Sequence, residues 1–259
     1  MKAGQHPGLL HAPRGAGGPP LVLLHGFLGS PAAWDAVLAA LARHGRAWCP
    51  WLPGHGPAAA EPATFDDTAQ AIADAMPEGA ILAGYSLGAR LALAATLRCP
   101  GRARATLLLG GHVGLADEAE RRDRAMLDAK RAQALRSGDL DRFVAEWEAL
   151  PLFETQRRLP PAVQSAQRAV RLAHDPNALA WAFEVAGLAQ MSDLRGAVAM
   201  ATQPLCFVTG ELDPRFAALA ASLVRPPWVS RRSVPGAGHN LLLEAPVAVG
   251  AVLAEWLEA

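Results

Sequence analysis

Gly84-Tyr85-Ser86-Leu87-Gly88 is the stretch of sequence that decides the fold. A short apolar run, residues 80–83, leads into it, and a helical pattern, residues 87–97, leaves it. A serine between glycines at a strand-to-helix junction is typical of a strained turn that lifts the hydroxyl out of a sheet. The flanking residues must be small, because bulk at either place would collide with the neighbouring strand and helix. We therefore predict a nucleophile or base at Ser86.

Two further positions complete a candidate catalytic triad. Residues 207–213, Phe-Val-Thr-Gly-Glu-Leu-Asp, end an apolar run and deliver an acid into the following loop. Asp213 is the predicted carboxylate, with Glu211 as the alternative. His239, in Gly236-Ala237-Gly238-His239-Asn240, follows the last apolar run and is the predicted base. The chain order serine, acid, histidine is that of the α/β-hydrolase fold.

The loop after the first apolar run supplies the other half of an expected oxyanion hole. His25-Gly26-Phe27 stands where this fold places one backbone donor, and the second donor belongs to the residue after the serine. We predict that the backbone N–H groups of Phe27 and Leu87 form the hole. We interpret His25 and His55 as structural residues that hold their loops by hydrogen bonds.

Strand and helix signals alternate along most of the chain, which favours a mostly parallel sheet flanked by helices. A helix is predicted to begin at Ser30-Pro31, with the serine as its N-cap, and others at Thr64 and at residues 247–257. Residues 112–195 break the alternation and indicate an all-helical cap inserted into a core of residues 1–111 and 196–259. The expected fold class is α/β, with the α/β-hydrolase fold. The predicted strands are residues 21–25, 47–51, 80–83, 105–109, 205–209 and 228–234.

Composition excludes several classes of partner. Lys plus Arg and Asp plus Glu number 24 each among 259 residues, so no overall charge attracts nucleic acid or an anionic membrane. No apolar run reaches the roughly 18 residues of a membrane span, and residues 1–20 lack a signal sequence. The three cysteines lie far apart and fit neither a disulfide framework nor a metal site. We expect a cytoplasmic protein, a monomer or weak homo-oligomer, without metal or cofactor.

Longer motifs resemble one family of the α/β-hydrolase superfamily, the 2-succinyl-6-hydroxy-2,4-cyclohexadiene-1-carboxylate synthases of menaquinone biosynthesis. The likeness runs over nearly the whole chain. The superfamily as a whole shares the serine motif and the triad, whereas Arg90 and the cap residues point to this member. The motifs are Gly84-Tyr85-Ser86-Leu87-Gly88-Ala89-Arg90, Gly110-Gly111-His112-Val113-Gly114-Leu115, residues 120–124, Glu146-Trp147, Pro151-Leu152-Phe153 and residues 236–240.

The resemblance implies a small polycarboxylate substrate held by arginines. Arg90 follows Ser86 by four residues, so both lie on one helical face, and a guanidinium binds a carboxylate with two parallel hydrogen bonds. By resemblance, Arg124 and Arg171 bind further carboxylates. Arg168 lies one helical turn before Arg171 and is the alternative for that role.

The resemblance also implies the reaction. The family eliminates pyruvate from 2-succinyl-5-enolpyruvyl-6-hydroxy-3-cyclohexene-1-carboxylate, and Tyr85 and Trp147 would line the pocket for the ring. The triad would then act as a base without an acyl-enzyme. Two other functions fit the residues: a serine esterase or carbon–carbon bond hydrolase, and a binding protein without catalysis. The ordered triad argues against the binding protein, which has no need of all three residues.

Overall fold

The computed structural model describes residues 13–15, 18–41, 45–56, 64–224 and 226–258. The prediction that residues 1–20 hold no signal sequence therefore falls mostly outside the described residues. The described part of the chain contains no helix that is both long and apolar enough to span a membrane.

The six predicted strands are confirmed, and they form one sheet in the order β2-β1-β3-β4-β5-β6. Each neighbouring pair of these strands is parallel, so their carboxyl ends share one edge of the sheet. The strands are β1 (Leu21–Leu24), β2 (Ala47–Trp48), β3 (Ala80–Tyr85), β4 (Ala103–Leu109), β5 (Leu205–Gly210) and β6 (Val229–Val234).

Several strand ends differ from the prediction. β2 stops three residues early, at Trp48, close to Pro50, which has no N–H to donate to a ladder. β1 ends at Leu24 instead of His25, since the His25 ring turns into the loop that follows. β3 continues to Tyr85, directly before the serine, so the turn begins without a connecting loop.

At least one helix lies between each strand and the next along the chain. A 3-10 turn (Pro31–Trp34) precedes α1 (Asp35–Ala40), and α2 (Phe65–Ala75) and α3 (Leu87–Arg98) follow. Between β4 and β5 lie α4 (Glu118–Arg136), α5 (Leu140–Glu148), α6 (Pro161–Leu172), α7 (Pro176–Ala186) and α8 (Arg195–Ala199), with 3-10 turns at Pro151–Arg158 and Leu188–Gln190. After β5 come α9 (Pro214–Leu223), α10 (Leu241–Glu244) and α11 (Pro246–Glu258).

Two predicted helix caps had different outcomes. The Thr64 hydroxyl accepts the Asp67 N–H at 3.0 Å and caps α2, as predicted. Ser30 does precede the 3-10 turn, but its side chain makes no capping hydrogen bond, so that part of the prediction was wrong. The Ala33 N–H, which a capping side chain could have satisfied, instead donates to the Ser30 backbone carbonyl at 3.0 Å.

Helices cover both faces of the sheet. On one face, Ile72 of α2 and Leu91 of α3 pack in a cluster with Leu82 of β3. On the other face, Val37 of α1 and Leu253 of α11 belong to a second buried cluster. β1, β3 and β5 are accordingly buried on both sides, as expected of a parallel sheet, whereas the edge strand β6 exposes Arg231 and Arg232.

The segment between β4 and β5 has its own apolar centre. Leu135, Phe143, Leu179 and Phe183 come from α4, α5 and α7, and Leu28 of the loop after β1 joins them. Described residues 110–204 contain no strand. These helices therefore rest on the loop that follows β1, near the carboxyl edge of the sheet.

Candidate active site

Ser86 lies in a backbone conformation that only close packing imposes. Its φ is 52° and its ψ is −106°, at the junction of β3 and α3, and its N–H donates to the Leu109 carbonyl at 2.9 Å. A Cβ on Gly84 would lie 2.2 Å from the Gly88 oxygen, and one on Gly88 would lie 2.4 Å from the Leu24 oxygen. Both glycines are thus required by close backbone approach, as the sequence motif indicated.

The structure brings Ser86, His239 and Asp213 together. Nδ1 of His239 lies 2.7 Å from Oδ2 of Asp213, and Nε2 lies 3.4 Å from the Ser86 hydroxyl oxygen. Since Nδ1–H faces the carboxylate, Nε2 is left to accept the serine proton. His239 and Asp213 are 2% and 5% exposed, so the ion–dipole contacts between them are shielded from water.

Neighbouring elements fix the acid and the imidazole. Asp213 caps α9 by accepting the Phe216 N–H at 3.4 Å, and the Phe216 ring centre lies 4.5 Å from that of His239. Glu211, the alternative acid, instead accepts the Gly236 N–H at 2.8 Å. The contact with His239 therefore favours Asp213 over Glu211.

Phe27 and Leu87, whose N–H groups are the predicted oxyanion donors, both line the space beside Ser86. Leu87 is the first residue of α3, where an N–H has no partner within its own helix. Within the described ranges, neither the Phe27 nor the Leu87 N–H makes a backbone hydrogen bond. The Phe27 loop is tight: Gly29 donates to the Gly26 carbonyl at 3.1 Å, and Leu28 has a φ of 57°.

Two buried histidines hold this loop, as the sequence interpretation expected. Nε2 of His25 accepts the Leu52 N–H at 3.1 Å, and Nε2 of His55 accepts the Leu28 N–H at 3.0 Å. Each Nδ1 lies within 3.0 Å of a backbone carbonyl oxygen, so both rings are neutral with the proton on Nδ1. Burial lowers the pKa of His25 to about 4, and burial with its histidine neighbours lowers the pKa of His55 well below its usual value.

The triad opens into a cavity of about 560 Å³ beneath the helices between β4 and β5. Ser86 and His239 line it, together with Phe27, Leu87 and Trp147. A cavity of this size suits a small molecule rather than a polymer. The predicted residues Arg90 and Arg124 also line this cavity.

Arg90 and Arg124 are held differently. Nη1 of Arg90 is buried and has no hydrogen-bond partner in the described part of the chain. Burial and the neighbouring Arg124 lower the pKa of Arg90 to about 9, which leaves the guanidinium charged at neutral pH. Arg124 donates from Nε to Asp128 at 2.8 Å and keeps its remaining donors.

Tyr85 and Arg171 line a second cavity of about 530 Å³ and not the one that holds Ser86. Phe27, Trp147 and Phe153 line both cavities, which are therefore adjacent. The substrate roles that were predicted for Tyr85 and Arg171 stay predictions.

Glu148 already pairs with both arginines that were considered for the third carboxylate. Arg171 donates to it at 2.8 Å and is 4% exposed, and Arg168 donates to it at 2.6 Å and also reaches Asp141. Both guanidinium groups are therefore neutralised within the protein. The choice between them stays open.

Three charged or titratable residues of the Ser86 cavity had no predicted role: His112, Arg131 and Arg215. Arg131 follows Arg124 by seven residues, two helical turns, so helical spacing could have indicated it. Arg215 follows the acid by two residues. No group of three or more His, Cys, Asp or Glu side chains that could hold a metal occurs among residues that the structure describes.

The chain is similar to known proteins over most of its length. Residues 21–252 match the alpha/beta hydrolase family. The chain is 36% identical to a 2-succinyl-6-hydroxy-2,4-cyclohexadiene-1-carboxylate synthase of Enterobacter sp. strain 638, over 93% of this chain and 92% of that protein. It is 34% identical to the synthase of the same name from Escherichia coli O1:K1, over 96% and 99%.

Solved structures of known proteins also superpose on this chain over most of its length. MenH from S. aureus superposes with a TM-score of 0.87 at 25% identity, covering 96% of this chain and 97% of that one. A thermophilic esterase from Thermogutta terrifontis has a TM-score of 0.78 at 25% identity, covering 94% and 90%. The scaffold is thus shared with hydrolases, and the residues that line the cavity must separate the two activities.

Proposed function

The chain belongs to the alpha/beta hydrolase family and, within it, to the 2-succinyl-6-hydroxy-2,4-cyclohexadiene-1-carboxylate synthases, and from this premise we propose how its residues perform that reaction. The enzyme removes pyruvate from 2-succinyl-5-enolpyruvyl-6-hydroxy-3-cyclohexene-1-carboxylate in menaquinone biosynthesis. The product is 2-succinyl-6-hydroxy-2,4-cyclohexadiene-1-carboxylate. No water is added, so the serine need not form an ester.

Ser86 acts as the base in this proposal. Its oxygen takes the acidic ring proton of the substrate while its own proton passes to Nε2 of His239, 3.4 Å away. The ring gains a double bond as the carbon–oxygen bond to the enolpyruvyl group breaks. The pyruvate enolate that leaves takes a proton back from the imidazolium, which restores the triad. Asp213 keeps the imidazole in the correct tautomer and stabilises its charged form.

Charge that develops on the substrate needs donors in place beforehand. The N–H groups of Phe27 and Leu87 serve the negative oxygen, and removing one such donor typically costs about 10²–10³ in rate. Arg90 and Arg124 hold carboxylates of the substrate. Trp147 lines the space for the ring.

One observation carries this proposal: the cavity that holds a hydrolase triad is also lined by arginines. A carbon–oxygen elimination from a polycarboxylate needs fixed cations beside the base. An esterase acting on simple esters gains nothing from them. The alternative, a serine esterase or carbon–carbon bond hydrolase, uses the same triad and is separated by experiment.

The test is turnover of the enolpyruvyl substrate by the purified protein. We expect stoichiometric release of pyruvate, measured with lactate dehydrogenase and NADH, together with the ultraviolet absorbance of the diene product. Ser86→Ala should lower kcat by about 10²–10⁴, because general-base catalysis is worth that much. Ser222→Ala, an exposed serine on α9, is the matched control and should leave the rate unchanged.

The hydrolase alternative gives a different pattern. It expects steady turnover of simple esters and stable labelling of Ser86 by an acylating or phosphonate reagent, without release of pyruvate. That pattern would replace the synthase proposal.

The setting of the enzyme is also a proposal. We place it in the cytoplasm, as a monomer or weak homo-oligomer that needs no metal, cofactor or nucleic acid. Residues 112–195 act as a cap over the core of residues 1–111 and 196–259.

A further inference from the structure

The cavity beside Ser86 is lined by more arginines than the two predicted there as substrate-binding residues, Arg90 and Arg124. Four of its lining residues are arginines: Arg90, Arg124, Arg131 and Arg215. The carboxylate that lines it, Asp213, is already bound to His239. Unbalanced charge in a partly enclosed space is costly unless a ligand compensates it.

Asp128 lies close to these arginines but does not line the cavity, and its single negative charge cannot balance all four positive charges. Its Oδ1 accepts from Arg124 at 2.8 Å, whereas Arg131 Nη1 lies 3.7 Å away, beyond hydrogen-bonding distance. The Asp128 side chain is 6% exposed, so it is not itself available to a ligand. One carboxylate thus serves Arg124 fully and Arg131 only in part.

Arg131 is held in place by aromatic rings rather than by acceptors. Its guanidinium carbon lies 5.2 Å from the centre of the Trp147 ring and 5.9 Å from that of Phe183. The structure gives this side chain no hydrogen bond to any described residue. Since a guanidinium that stacks on a ring keeps its in-plane N–H groups free, Arg131 can still donate to an anion.

We propose that Arg131 is a substrate-binding residue that takes one carboxylate of the substrate, in addition to those held by Arg90 and Arg124. The inference rests on the proposed function, whose substrate carries a ring carboxylate, a succinyl carboxylate and an enolpyruvyl carboxylate. The four arginines exceed the two nearby carboxylates, Asp128 and Asp213, by two positive charges, so the cavity favours a substrate that carries several carboxylates. Arg131 also covers Trp147, so an anion bound there lies directly beside the ring pocket.

The experiment compares Arg131→Met with Arg122→Met. Methionine keeps the apolar contact with Trp147 and removes the charge, and Arg122 is an exposed arginine of the same helix. We expect Arg131→Met to raise KM for the enolpyruvyl substrate by about 10- to 100-fold with little change in kcat, because uniform binding is lost. Arg131→Lys, which retains charge without the two-pronged donor, should lie between wild type and Arg131→Met. Arg122→Met should behave as wild type.

Equilibrium binding keeps the inference separate from the reaction. Calorimetric titration with the reaction product, which retains the ring and succinyl carboxylates, should show at least about tenfold weaker binding to Arg131→Met if Arg131 holds one of those two. A raised KM with unchanged product binding assigns Arg131 to the enolpyruvyl carboxylate.

Citrate is the activity-independent probe. If wild type releases no pyruvate, the proposed function fails, and weaker citrate binding to Arg131→Met than to Arg122→Met still supports an anion site at Arg131. Values for Arg131→Met within twofold of Arg122→Met in KM, product affinity and citrate affinity would overturn the inference while leaving the proposed function intact.

Discussion

At the scale of single residues, the candidate site depends on which acid contacts the imidazole. Asp213 and Glu211 differ by two positions, and both follow β5. Of these two acids only Asp213 contacts His239. Glu211 accepts the N–H of Gly236, three residues before His239 in the loop after β6. The two acids thus form a natural pair for substitution.

Asp213→Asn should lower kcat strongly and Glu211→Gln should not. An asparagine can present its NH₂ to Nδ1 and stabilise the wrong tautomer, an effect that costs about 10⁴ in the serine protease from which it is known. Glu211→Gln retains an oxygen for the Gly236 N–H. Initial rates of pyruvate release at pH 7, compared between the two variants, test which acid serves His239. Equal losses in the two variants would contradict the assignment of Asp213.

We expect the buried charge of Arg90 to lower the stability of the folded protein while it raises the activity of the enzyme. Its folded-state pKa of about 9 lies below the usual value for arginine, chiefly because burial disfavours the charged form. At pH 7 the guanidinium is charged in both folded and unfolded states, so its burial costs stability. Above about pH 9 the folded state binds fewer protons than the unfolded state, and that cost falls as pH rises.

Arg90→Met should therefore raise the free energy of unfolding at pH 7, by on the order of 1 kcal/mol, while it lowers kcat/KM about 10- to 100-fold. The gain in stability should shrink above about pH 9. Urea unfolding at pH 7 and pH 10 measures it. Arg98→Met, at the exposed end of the same helix, is the control. A variant that is less stable than wild type at pH 7 would show that Arg90 is structurally required.

At the scale of elements, the loop that follows β2 contacts both the loop of Phe27 and the helices between β4 and β5. His55 accepts the Leu28 N–H, and Gly56 donates to Nδ1 of His174, between α6 and α7, at 3.4 Å. Gly54 has a φ of +77°, and a Cβ there would lie 2.6 Å from the Ala178 oxygen and from the Ala182 Cβ on α7. The position of α7 is thus coupled to the Phe27 donor through this loop.

Gly54→Ala tests that coupling, with Gly79→Ala as its control. Gly79 has a φ of +70°, but a Cβ there meets nothing within 4 Å, so its substitution costs only backbone strain of about 1–2 kcal/mol. Gly54→Ala adds overpacking against α7, typically about 1–3 kcal/mol more. We expect kcat to fall in Gly54→Ala alone, measured alongside thermal unfolding. Equal kcat in the two variants would mean that α7 and the Phe27 loop are independent.

At the scale of the whole molecule, charge is balanced overall and unbalanced locally. The formal net charge is zero, yet four arginines line the cavity beside Ser86. Attraction of an anionic substrate must therefore come from the cavity and not from the protein as a whole. Such short-range attraction is screened as the Debye length falls from about 10 Å at 0.1 M salt to about 3 Å at 1 M.

We expect kcat/KM for the enolpyruvyl substrate to fall severalfold between low and high NaCl, with kcat nearly constant, because salt weakens binding more than chemistry. Arg131→Met should show a shallower dependence than Arg122→Met, since only the former faces the cavity. Initial rates across a salt series measure both. A kcat/KM that does not respond to salt would show that the arginines do not attract the substrate.

Much of this protein could be predicted from local patterns. The central strands β1, β3 and β5 are short apolar runs, and their burial on both faces makes such runs recognisable in the sequence. The Ser86 turn is visible because Gly84 and Gly88 must be small where backbones approach within a few ångströms. Ser86, Asp213 and His239 can meet because the parallel sheet places the carboxyl ends of β3, β5 and β6 on one edge.

The tertiary structure alone decided which charged side chains face Ser86. Spacing along a helix says which residues share a face, but only packing decides where that face points. Hence Arg131 lines the cavity beside Ser86. Arg171 instead pairs with Glu148, 23 positions earlier in the chain, and lines the neighbouring cavity. Electrostatic partners are set by distance in space, and a sequence records distance only along the chain.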